Sequence, residues 1–178
     1  MGARQQGQTM TVSAPKPAGA KPARAADVAR LAAANINPAT GLATDYLNHF
    51  NEAIMLLEML AKSPTCIDDL MAWRPLSYRE HFVASNQTHR ELAIAAYEAA
   101  DPTARRQLDE LATAMNAMLL AAREALRLNL SGPVAGAFAQ EAAARVKPLV
   151  ARAGAIINGR DVSPASDTQD AIDALMKG

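Results

Sequence analysis

From residue 41 to residue 158, apolar residues recur every three or four positions, and nothing alternates with a two-residue period for more than a few positions. That spacing gathers apolar side chains into one stripe of an α-helix and fits no half-buried strand. The chain is therefore expected to be all-α. Alanine, at 41 of the 178 residues, favours helix and lets helices approach closely, although each alanine buries little area.

Punctuation residues divide the helical pattern. Asn37-Pro38-Ala39-Thr40-Gly41 is turn chemistry and launches a helix over 41–61, with a stripe of Leu42, Tyr46, His49, Ala53, Leu56, Leu57 and Leu60. Lys62-Ser63-Pro64-Thr65 ends it, and Thr65 is placed to cap a short helix over 67–73. After Pro75, Ser77-Tyr78-Arg79-Glu80 is a capping box that opens a helix expected to reach residue 99. Asp101-Pro102 starts the longest helix, 102–129, whose stripe is Leu108, Leu111, Met115, Met118, Ala122 and Ala125. A last long helix spans 133–158, with Pro148 expected to kink it and Asn158-Gly159 to stop it. Four main helices with short connections predict an antiparallel bundle plus short accessory helices. Met55, Met59, Met71, Met115 and Met118 are assigned to its core, and the lone Trp73 to the end of it.

The bundle is expected over 40–160, between ends of opposite charge. Residues 1–39 carry Arg4, Lys16, Lys21, Arg24 and Arg30 against Asp27, and the run Ala14-Pro15-Lys16-Pro17 through Pro22 reads as a flexible, disordered Pro/Ala-rich arm. Residues 161–178 carry four aspartates against Lys177 and form an acidic tail, with a short helix expected over 167–176. The arm's charge is too sparse for a nucleic-acid patch. Arg105, Arg106, Arg123 and Arg127 interleave with Asp109, Glu110 and Glu124, which predicts a mixed solvated face.

No apolar run approaches the roughly 20 residues of a membrane span, and the single Cys66 cannot close an internal disulfide, so a cytoplasmic protein without membrane contact is expected. There is no Gly-rich phosphate loop, Gly-x-Ser-x-Gly elbow, cysteine pair or His-Glu-x-x-His. Cys66 lies near a helix start, with no histidine close in sequence to act as base.

The remaining polar signal is histidine. His49 lies in the stripe of the 41–61 helix, with Asp45 one turn before it and Glu52 one turn after. At about 100° per residue, the 77–99 helix places Tyr78, Phe82, Ser85, His89, Ala93 and Ala96 on one side. Packed antiparallel, the two helices would bring His49 level with His89. Asp45, His49, Glu52 and His89, with His81 at the edge, then form a candidate pocket for zinc, iron or manganese, or for a small ligand. The order His-x-x-Glu differs from the Glu-x-x-His of ferritin-like bundles. The other reading is structural: buried neutral imidazoles that fix helix register.

Two functions follow as expectations. One is a non-enzymatic interaction or self-association module, a dimer above all, with Ala135-Gly136-Ala137 and Ala142-Ala143-Ala144 offered to a second chain or another protein partner. The other is a bundle that holds a metal or small ligand in the His/carboxylate pocket.

Overall fold

The computed structural model describes residues 20–60, 62–129 and 132–160, and these form an all-α protein. In chain order the helices are α1 (Ala20–Ala33), α2 (Leu47–Met59), α3 (Ile67–Ala72), α4 (Tyr78–Ala84), α5 (Arg90–Glu98), α6 (Pro102–Asn129) and α7 (Gly132–Ile157). Short 3-10 turns at Thr44–Tyr46 and Pro64–Cys66 lead into α2 and α3.

The long helices follow the expected bounds closely. Asp101 caps α6 by accepting the Thr103 and Ala104 amides at 3.0 and 2.9 Å, so Pro102 can occupy the first turn without wasting a donor. At the end of α7, Gly159 takes a φ of +66° while its amide reaches Ile156 and that of Arg160 reaches Ala155. This is a Schellman stop, and it requires a residue at ease in the left-handed region. Pro148 sits on the exposed side of α7, and the helix is continuous through it.

α6 and α7 form an antiparallel hairpin with unequal sides. α6 contributes Leu108, Met115, Leu119 and Leu126, whereas α7 contributes Gly136, Ala139, Ala143, Val146 and Ala153. Large side chains from one helix fill the room left by small ones on the other. Within the small-residue surface expected to meet a second chain, Gly136 and Ala143 are buried, while Ala137 and Ala144 are exposed. On its other flank α7 packs against α2, where Lys147 pairs with Glu58 and Leu47 lies beside Gly154.

Three differences from the sequence reading have local causes. First, a helix occupies Ala20–Ala33 where a flexible arm is expected, with Pro22 tolerated in its first turn. It ends in a second Schellman turn, in which Asn35 takes φ +56° and the Ile36 amide reaches Leu31. Ile36 and Ala34 are buried, so the packed body begins before residue 40. The rest of the expected arm, 1–19, and the acidic tail, 161–178, lie outside the described residues.

Second, Thr65 does not cap α3; it falls in the preceding turn beside Ser63. Third, the expected 77–99 helix is two helices. The capping box is present, with Ser77 Oγ accepting the Glu80 amide and Glu80 Oε2 accepting the Ser77 amide. The helix stops at Ala84 because Ser85-Asn86-Gln87-Thr88 follow, residues whose polar side chains compete for backbone groups. Ser85 Oγ donates to the Phe82 carbonyl at 2.9 Å.

The loop from Asn37 to Ala43 ties this half together. Asn37 Oδ1 accepts the Ala39 amide, and Gly41 adopts φ +73°. A Cβ on Gly41 would sit 2.8 Å from the Ala96 carbonyl oxygen, so only glycine lets the loop lie this close to α5. Thr40 Oγ1 donates to the Ile157 carbonyl at 2.7 Å, pinning the loop to the end of α7.

Candidate functional site

Six of the seven aromatic residues (three Tyr, three Phe, one Trp) and two of the three histidines form one continuous cluster. His49 stacks on Trp73 with ring centroids 4.8 Å apart and 21° between the planes. His81 lies 5.9 Å from His49 and 5.7 Å from Tyr46. Tyr46 meets Tyr78 at 5.1 Å, and Tyr78 stacks on Tyr97 at 4.3 Å.

Backbone groups hold the polar atoms of His49, Trp73, Tyr46 and Tyr78. His49 is 6% exposed, and its Nε2 accepts the Leu76 amide at 3.2 Å. An accepting Nε2 places the ring proton on Nδ1, which makes the imidazole neutral. Burial pushes His49 down to about 4 from its ordinary 6.5, and the neighbouring His81 pushes the same way. Trp73 Nε1 donates to the His49 carbonyl at 3.1 Å, and Arg123 Nη1 donates to the Trp73 carbonyl at 2.6 Å. The Tyr46 hydroxyl donates to the Leu76 carbonyl, while the Tyr78 hydroxyl accepts the Ala43 amide. Burial raises both phenols.

His81 is half-buried, not at the surface as its position beside Glu80 suggests. Its Nε2 is buried without a hydrogen-bond partner. Burial lowers its pKa, and the Asp45 charge, a hydrogen bond from the ring to the Asp45 backbone carbonyl and the Glu52 charge pull it back.

The five candidate ligands divide: His81 lies beside His49 and feels the Asp45 and Glu52 charges, while His89 stands apart. His49 and Glu52 line one groove of about 550 Å³ with Asp69, Trp73 and Arg74, whereas Asp45 and His89 line a smaller one of about 280 Å³ with Asn35 and Gln87. Asp45 is held by the Asn35 side-chain amide at 3.1 and 3.3 Å. His89 is exposed at the start of α5, because the break at Ser85–Thr88 ends the register that would have brought it level with His49. Among the described residues no three His, Cys, Asp or Glu side chains are grouped to hold a metal ion. Nor does any hydroxyl or thiol among them hydrogen-bond to either buried imidazole, so no nucleophile and base are paired there.

Sequence reasoning missed this cluster as a unit. The available signal was that six aromatics fall between residues 46 and 97. Arg123, expected on a solvated face, reaches inward to Trp73. Met55 and Met59, expected in the core, are exposed on α2, while Met115 is fully buried.

A second feature lies at the far end of the hairpin. Leu128, Val134 and Phe138 are 55%, 62% and 37% exposed. α2 runs antiparallel to α7 from Gly154 to Lys147, so the stretch of α7 before residue 141 extends past the pairing with α2. Flanking charges are paired within single helices, Glu124 with Arg127 and Glu141 with Arg145.

No protein-family model matches the chain, and no curated protein or solved structure matches it significantly. Among the described residues no helix is long and apolar enough to cross a membrane.

Proposed function

We propose that this protein is a non-enzymatic helical interaction module of the cytoplasm that pairs with a second copy of itself through the free end of the α6–α7 hairpin. The observation that carries this reading is the exposure of Leu128, Val134 and Phe138 at that end. Two hairpins joined about a two-fold axis would make a four-helix arrangement, in which the same patch serves both partners. Charge does not oppose the pairing, because Glu124–Arg127 and Glu141–Arg145 leave the rim neutral.

The three side chains together offer on the order of 300 Å² of apolar surface, below the ~800 Å² per partner of a standard interface. Adjacent helix surface must therefore contribute, and a reversible dimer of micromolar strength is expected. Sedimentation velocity from micromolar to hundreds of micromolar tests it. The wild-type chain should shift from monomer to dimer, and a Leu128→Glu/Phe138→Glu chain should stay monomeric with an unchanged far-UV spectrum. A wild-type monomer across the whole range would sink the reading.

The His/carboxylate pocket is not favoured as a second function. Its members are divided between two grooves, and its buried imidazole serves the Leu76 amide.

A further inference from the structure

Between the start of α4 and the middle of α6 lies a cleft of about 410 Å³ whose lining includes Tyr46, Glu80, Tyr97, Asp109, Thr113 and Asn116. Its hydrogen-bonding groups are out of balance. The Tyr46 hydroxyl donates to the Leu76 carbonyl, that of Ser77 to Glu80 Oε2 and that of Thr113 to the Asp109 carbonyl. The Tyr97 hydroxyl lies 2.8 Å from both carboxylate oxygens of Asp109 and gives its one proton to that group. Those donors are spent inside the protein, and the donors left over are the Tyr78 hydroxyl, which accepts the Ala43 amide, and the Asn116 side-chain NH2.

Acceptors remain. A carboxylate has about four lone-pair positions; Asp109 receives one proton from Tyr97, and the bonds to Glu80 all fall on Oε2. Asn116 Oδ1 is buried with no partner. A buried carbonyl oxygen without a donor is costly, and a donor-bearing ligand would relieve that cost. No lysine or arginine is among the lining residues, since Arg105 stands over the outer face of the Tyr97 ring and donates to the Glu98 carbonyl, and Arg79 pairs with Glu98. The charges of Asp109 and Glu80 both raise the Tyr46 phenol, as expected if the two carboxylates face the same space.

We infer that this cleft binds a short aliphatic polyamine, whose ammonium groups supply the missing donors to Asp109, Glu80 and Asn116 while its methylene chain lies along the tyrosine rings. Ammonium to carboxylate is a charge-assisted contact. A bare divalent ion suits the site less well, because it demands several oxygen ligands at fixed short distances and the cleft offers only two carboxylates. None of these residues belongs to the free end of the hairpin, so ligand binding and dimerisation stand or fall separately.

The test is calorimetric titration of the full chain with spermidine, repeated with magnesium alone. Saturable spermidine binding, weakening as salt rises, is expected. Glu80→Gln keeps the capping role, since glutamine also serves in a capping box, and should weaken binding about tenfold, the loss of one charge-assisted contact. Asp109→Asn should do the same, and Asn116→Asp should tighten binding. Glu110→Gln, which removes the same charge from α6 outside the cleft, should leave it unchanged. Absence of saturable binding overturns the inference. So does equal weakening by Glu80→Gln and Glu110→Gln, or binding of magnesium as tight as that of spermidine.

Discussion

Around His49, aromatic rings and imidazoles pack edge to face and stacked, and the polar atoms of His49, Tyr78 and Trp73 are fixed to backbone groups of Leu76, Ala43 and His49 itself. Along α6 and α7, leucine and methionine meet glycine and alanine, and the ion pairs stay at the surface. The first region is held by a few large, oriented contacts between segments that are irregular or short. The second is held by many small contacts between two regular helices. A short helix has little stability of its own, so α3 and α4 depend on what their side chains reach, whereas α6 and α7 depend on a stripe that recurs along their length.

The two regions should therefore fail differently. The largest effect is expected from Phe82→Ala, which removes a fully buried ring from the aromatic cluster and should cost about 4 kcal/mol by urea denaturation. A loss under about 1 kcal/mol would mean the cluster is not a stabilising unit.

Acid should come next. The unfolded chain takes up a proton at His49 near the ordinary 6.5, while the folded chain resists until about 4. Stability is therefore complete above pH 6.5 and falls as pH drops toward 4, by about 3 kcal/mol over that window. Burial lowers His81 too, and that shift acts in the same sense. In chemical denaturation at pH 7 and pH 5, His49→Gln should remove most of the pH dependence; an unchanged slope would place the acid sensitivity elsewhere.

The smallest effect belongs to the hairpin. Ala143→Leu forces a large side chain into a site that is 1% exposed and should cost about 2 kcal/mol. It should leave the near-UV signal of Trp73 unchanged. A variant that loses that signal along with its stability would show that the two regions are one cooperative body with no internal division.

How much of this was legible in the sequence follows the same division. Asp101-Pro102, Asn158-Gly159 and the Leu108-to-Ala125 stripe place α6 and α7 almost to the residue, because caps and periodicity are local signals. Ser77 and Glu80 likewise placed the start of α4. The His49 surroundings were not legible, since the Leu76 amide and the Trp73 indole arrive from 27 and 24 residues away by way of turns that no periodicity encodes. The error at His89 came from carrying a helical register through Ser85-Asn86-Gln87-Thr88. Four polar residues in a row were the warning, because serine, asparagine and threonine bond to nearby backbone as readily as they extend a helix. Asn35 carried a legible signal as well: asparagine before a buried isoleucine suits the left-handed stop at the end of α1.

The contact between Thr40 and the Ile157 carbonyl also bears on the order in which the protein can be built. Synthesis runs from the N-terminus, yet the loop at residue 40 and the long flank of α2 both find their partner in α7, the last of the described helices to be made. Until that helix has left the ribosome, α2 lacks the surface it rests on, while α6 and α7 can pair as soon as both exist. The hairpin then serves as the template on which the earlier half of the chain is laid down, and a ribosome stalled before residue 157 would hold a protein whose first half has nowhere to settle.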